Sequence, residues 1–101
     1  MGGLLRGNKL NVVARRAHYT RTGQPANDLT LTYTLFDETG TPVTGAQDID
    51  MPLETETGDY VGPLAASITA TLTLFGRYRL VERDDAKGVI RQRWFTAVDE
   101  E

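Results

Sequence analysis

Apolar and polar side chains alternate with a period of two along much of the chain. In residues 28–36, Leu29, Leu31, Tyr33 and Leu35 fall on one side and Thr30, Thr32 and Thr34 on the other. Successive side chains of a strand point to opposite faces, so this alternation predicts a strand with one buried and one polar face. Residues 67–75 repeat it, with Ile68, Ala70, Leu72 and Leu74 opposed to Thr69, Thr71 and Thr73. Branching at Cβ restricts threonine rotamers and favours extended backbone, so the polar faces support the same assignment. Shorter runs bounded by Gly, Pro, Asn or Asp predict further strands at residues 9–19, 43–51, 59–62, 77–83 and 89–98.

Residues 22–27, 37–42, 56–58 and 84–88 carry turn chemistry between these runs. No segment sustains the helical period, and one short helical turn is expected at residues 64–67, behind Pro63. About seven short strands without crossover helices predict an all-β fold, an antiparallel β-sandwich. The 101 residues suffice for one hydrophobic core and leave none for a second, so 1–101 reads as a single domain. Residues 1–7 and 99–101 carry Gly or like charge and little alternation, and are expected to be flexible ends.

Composition narrows the chemistry. The absence of Cys removes disulfides, thiolate nucleophiles and Cys-based metal sites together. No apolar run approaches the ~18 residues of a membrane span, and the start lacks the charged, apolar and cleavage segments of a secretory leader. The formal net charge of −3 argues against non-specific nucleic-acid binding.

Catalytic equipment is scarce. His18 is the single His and Ser67 the single Ser, and no strained nucleophile turn surrounds Ser67, so a hydrolase would depend on these two meeting within hydrogen-bond reach. Asp48 and Asp50 lie two apart, on one face of an extended segment, and with His18 they form the candidate set for a cation. Glu54 and Glu56 continue the acidic region, which lacks the Gly-punctuated loop of a calcium site and reads as a solvated edge that discourages strand-to-strand aggregation. None of the Gly-rich phosphate-loop spacings occurs. The expectation is a protein that is not an enzyme, with no catalytic residue, no cofactor and no resident metal.

The charged feature with geometry is a set of arginines. Arg77, Arg79 and Arg83 alternate along one predicted strand, and Arg91 and Arg93 along the next. Pairing across residues 84–88 with Arg83 opposite Val89 sets Arg79 against Arg93 and gathers all five on one sheet face. Like charges so opposed need acidic partners. These are either the chain's own carboxylates or an acidic region of another subunit, such as the Asp99, Glu100 and Glu101 tail of a second copy, held by bidentate guanidinium contacts. Nucleic acid fits less well, because among the aromatics only Phe95 falls on that face. Arg outnumbers Lys nine to two, the bias of protein–protein contact surfaces. Trp94, with Tyr78 and Leu80, is expected to close the core beneath the stripe.

Two stretches carry a resemblance. Asp37-Glu38-Thr39-Gly40-Thr41-Pro42-Val43-Thr44-Gly45-Ala46 is similar to a strand–turn–strand signature of bacterial and viral immunoglobulin-like domains. Gly58-Asp59-Tyr60 and Gly76-Arg77-Tyr78 resemble the strand entries of the same domains, where a Tyr hydroxyl caps a backbone group. Over residues 5–98 the layout resembles small immunoglobulin-like proteins encoded among phage and prophage structural genes, which build tails, baseplates and head–tail joints. That resemblance implies an immunoglobulin-like sandwich serving as a non-enzymatic structural or adaptor subunit. Its partners would be other protein subunits, further copies of itself included, in the virion or in the bacterial cytoplasm during assembly. A second resemblance, to small periplasmic immunoglobulin-like domains of metal handling or oxidase assembly, implies a ligand- or metal-binding module of the cell envelope.

Overall fold

The alternating segments fold into two sheets packed face to face. The computed structural model describes residues 2–14 and 28–99, residues 2–5 by their backbone alone. In chain order the elements are β1 (Gly2–Leu5), β2 (Leu10–Ala14), β3 (Leu31–Phe36), β4 (Ile49–Met51), β5 (Leu53–Glu54), β6 (Asp59–Leu64), α1 (Ala66–Thr69), β7 (Arg77–Asp84) and β8 (Gly88–Val98). One sheet has the order β1-β8-β7-β3-β4 and the other β2-β6-β5. Every ladder is antiparallel except that of β1 on β8, which is parallel. β2, β6 and β5 take the places of strands B, E and D, and β8, β7, β3 and β4 those of G, F, C and C′, of an immunoglobulin sandwich. The chain is an all-β sandwich of this kind.

The inner faces supply the core: Leu31, Tyr33 and Leu35 from β3, Tyr78 and Leu80 from β7, Ala97 from β8, and Val12, Ala14, Tyr60 and Leu64 from the opposing sheet. Tyrosine hydroxyls tie the layers together. Tyr33 of β3 donates across the sandwich to the Pro63 carbonyl of β6, and burial pushes its phenol pKa up to about 12, so it remains a donor. Tyr60 of β6 accepts from the Leu29 N–H at 3.1 Å, and Tyr78 of β7 accepts from the Thr73 N–H at 2.8 Å. The last contact is a tyrosine corner at the turn into β7. The sheets come close together at Gly62, where a Cβ would stand 2.8 Å from Met51 Cγ and 3.0 Å from the Asp50 carbonyl oxygen.

The segment 67–75 is a correction to the strand reading. Residues 66–69 form α1, and i−3 and i−4 backbone bonds continue through Leu72. Burial falls on Thr69 and Leu72, with Ile68 packed against the core, a helical spacing in place of alternation. The threonines that argued for a strand support the turn instead. Thr69 Oγ1 donates to the Ala66 carbonyl at 3.1 Å and Thr71 Oγ1 to the Ile68 carbonyl at 2.7 Å, and Thr69 also reaches the Asn8 carbonyl. The helical turn expected at residues 64–67 lies two residues further on.

Other boundaries shift as well. The amino-terminal stretch expected to be a flexible end contains β1, paired with β8 from Gly2↔Phe95 to Leu5↔Val98. Residues 43–51 contribute only Ile49–Met51 as strand, since the first half is a turn closed by bonds from Leu35 N–H to Ala46 O and from Val43 N–H to Leu35 O. β5 was not foreseen. Of residues 9–19, β2 covers 10–14, Lys9 precedes the strand, and 15–19 lie outside the described residues, as does the turn at 22–27. At the other end Asp99 is bonded to Arg6 at 3.1 Å, while Glu100 and Glu101 lie outside the described residues.

Two aspartates brace turns. Asp84, buried at the end of β7, accepts from the Thr30 N–H at 2.8 Å and from the Ala86 and Lys87 N–H groups at 3.0 Å. The Thr30 bond foremost, opposed by burial and aided by the Lys87 and Ala86 bonds, holds its carboxyl below the usual aspartate range. Asp37 is lowered likewise, first by the Thr39 hydroxyl and then by the Thr41 N–H. A folded pKa below the unfolded one contributes stability that is whole above the ordinary aspartate range and is lost as pH falls through it. The urea midpoint should therefore hold from neutral pH to about pH 5 and drop below about pH 4. Asp84→Asn should lower the midpoint at neutral pH and flatten the acid limb. Gly62→Ala should cost about 1–3 kcal/mol in the same measurement, because backbone and Met51 occupy the space a methyl needs.

Candidate interaction surface

The arginine stripe is divided by one residue. Arg83 stands opposite Val89, as the sequence suggests, but Glu82 pairs with Arg91, Leu80 with Arg93 and Arg79 with Trp94. A bulge at Ile90 accounts for the shift. An extra residue in one strand turns every following side chain to the other face. The expectation that all five arginines share a face is thereby corrected, as is the packing of Trp94 in the core. Arg77, Arg79, Arg83 and Trp94 face outward, and Arg91 and Arg93 face inward with Tyr78 and Leu80.

Inside, Glu82 explains the arrangement. Its side chain is 1% exposed, and a carboxylate so placed requires compensation. Arg91 supplies it with a two-pronged contact, Nε to Oε1 and Nη2 to Oε2 at 3.0 Å, and the same Nη2 reaches the Val13 carbonyl of β2 at 2.9 Å. The pair thus spans from β7 and β8 to the opposing sheet. Arg93 adds a second cation, 3.7 Å from Glu82 Oε1 and 5.4 Å from the centre of the Phe95 ring. Burial and the neighbouring Arg91 charge press its pKa down, and Glu82 opposes them. Arg91 and Arg93 are internal braces.

Outside, the broad sheet presents a face with no second sheet packed on it among the described residues, in which Val81 and Thr34 are nonetheless buried. β7 contributes Arg77, Arg79, Val81 and Arg83, β3 contributes Thr32, Thr34 and Phe36, and β8 contributes Gln92, Trp94 and Thr96. Arg77 lies over the Trp94 ring and Arg79 over the Phe36 ring, each 4.9 Å from the ring centre. Trp94 is 42% exposed. Val81 and Thr34 floor an open depression of about 370 Å³ rimmed by Phe36, Arg79, Arg83, Val89 and Asp48. Among the described residues no carboxylate lies within ion-pair distance of the Arg77, Arg79 or Arg83 guanidinium, although Glu38 Oε1 accepts from the Arg77 backbone N–H at 2.9 Å. Three cations are therefore held on aromatic and aliphatic surface, and among the described residues no carboxylate claims their donor forks.

The remaining candidates do not converge. Asp48 closes the turn before β4 with a left-handed backbone, φ 51°, and its N–H bonds to Thr34 Oγ1; Asp50 on β4 stands beside Thr32. No group of three or more potential metal ligands occurs among the described residues, and His18 lies outside them. Ser67 sits exposed on α1. Asp99 is held by Arg6 and is no part of the outer face. Sequence reasoning missed Phe36, Val81 and Gln92. Phe36 shares the parity of Thr32 and Thr34 and was legible as outward-facing, whereas Gln92 and Trp94 depend on a bulge that has no local signature. Comparisons with family models, with curated proteins and with solved structures returned no match.

The two arginine groups should separate in a stability measurement. Glu82→Ala should cost roughly 3 kcal/mol, the lower end of the range for a broken buried pair, because Arg91 keeps access to water. Arg83→Ala should change stability by no more than about 0.5 kcal/mol. Urea unfolding followed by circular dichroism measures both.

Proposed function

We propose that the chain is a non-enzymatic structural or adaptor subunit that assembles with other protein subunits through the outer face of the five-stranded sheet. One observation carries this reading: Arg77, Arg79 and Arg83 stand together on exposed sheet beside Trp94, and among the described residues none of their guanidinium groups forms an ion pair. Arg and Trp on an apolar-floored face are the residue types on which protein interfaces concentrate binding energy. A nucleic acid would need free ring faces for base stacking, and here guanidinium groups cover Trp94 and Phe36. The setting we propose, a virion particle, rests on the overall layout of residues 5–98, which resembles small immunoglobulin-like proteins encoded among phage and prophage structural genes.

Trp94 is the sole tryptophan, so its emission reports on this face. Mixing the chain with the products of neighbouring genes should shift that emission to the blue. Arg77→Glu combined with Arg79→Glu should abolish binding while circular dichroism and melting stay unchanged. A partner that binds equally well to the doubly substituted chain would place the interface elsewhere.

A further inference from the structure

The outer face carries its own complement. Across β3, Arg83 on β7 and Asp50 on β4 are both paired with Thr32, so cation and carboxylate occupy one row of the sheet, separated by two strand spacings of about 4.8 Å each. One row further on, Val81 pairs with Thr34, whose hydroxyl holds the Asp48 N–H at 3.0 Å. Asp48 and Asp50 are exposed, and among the described residues neither carboxylate meets a cation. The face is therefore positive along β7, uncharged along β3 and negative along β4.

From this charge order we infer that the face binds a second copy of the chain about a two-fold axis running along β3. This inference rests on the reading of the outer face as the binding surface and names its occupant. A two-fold contact sets residues on the axis against their own counterparts and exchanges the two flanks. An axis along β7 would oppose Arg77, Arg79 and Arg83 with themselves, at the cost of like charges. An axis along β3 opposes Thr32, Thr34 and Phe36 with themselves, and none of these is charged. It lays β7 of each copy over β4 of the other. Arg83 then meets Asp50 of the second copy, and Asp48 of the second copy enters the depression above Val81, between Arg79 and Arg83. Both contacts occur twice. Sheets packed face to face lie about 10 Å apart, a gap that an arginine and an aspartate bridge together. About this axis only β7, β3 and β4 lie over strands of the second copy, so three strand spacings over about 20 Å of shared length cover roughly 300 Å² per copy, below the size of stable specific interfaces, and predict a weak, salt-sensitive dimer.

Sedimentation of the full chain over a range of concentrations tests this. At about 50 mM salt the chain should dimerise, and at about 500 mM the dimer should dissociate. Arg83→Asp and Asp50→Arg alone should each weaken dimerisation at least about tenfold, and the two together should restore it to within about threefold, since reciprocal exchange re-creates both pairs. Phe36→Glu, which sets two carboxylates face to face on the axis, should abolish the dimer without altering the circular dichroism spectrum. A chain that stays monomeric at low salt overturns the inference, as does a dimer indifferent to the single substitutions or not restored by the double one. Should the chain be monomeric yet bind another subunit in a manner lost with Arg77→Glu and Arg79→Glu, this inference fails and the assembly reading stands.

Discussion

The carboxylate of Glu82 sets what the two faces of the sandwich can be. A charge in the interior must be met there, and a single strand neighbour meets it only if β8 turns an arginine inward at that row. The register that does so places Arg91 and Arg93 between the sheets and sends Trp94 and Gln92 out. The same contact joins layers, because Arg91 extends past Glu82 to the Val13 carbonyl on the opposing sheet. Core composition, inter-sheet bracing and surface chemistry thus follow from one buried acid.

The rest of the core shows a similar use of polar atoms at layer boundaries. Tyr33, Tyr60 and Tyr78 each bury a ring and bring a hydroxyl to a backbone group. A small β-sandwich without disulfides has few other means of fixing how its layers sit on one another. Gly62 plays the converse part, since the absence of a side chain there lets β4 and β6 close the end of the sandwich.

Much of this was legible in the chain. The alternation in residues 28–36 marks β3 and its buried side, and the Gly-x-Tyr entries mark β6 and β7. The same alternation misleads in residues 67–75, because period-two spacing of Thr and Leu does not distinguish a pleat from a turn in which threonine hydroxyls bond back to carbonyls three residues earlier. The pairing of Arg83 with Val89 is legible from the turn, and the bulge beyond it is not, since it answers to a partner across the ladder. β1 joins the sheet through backbone groups that any sequence possesses. The bulge and β1 were decided by partners distant in sequence, and the turn at 67–75 by bonds to carbonyls three residues back.

The single extra residue at Ile90 has an evolutionary corollary. In a strand read in steps of two, losing one position before residue 91 exchanges inside for outside along the whole of its length. A homologous strand one residue shorter would direct its guanidinium groups to solvent and tuck the indole away. Length variation at this hairpin is therefore a route by which one ancestral sandwich diversifies what it shows to the world, without any substitution in the strand itself.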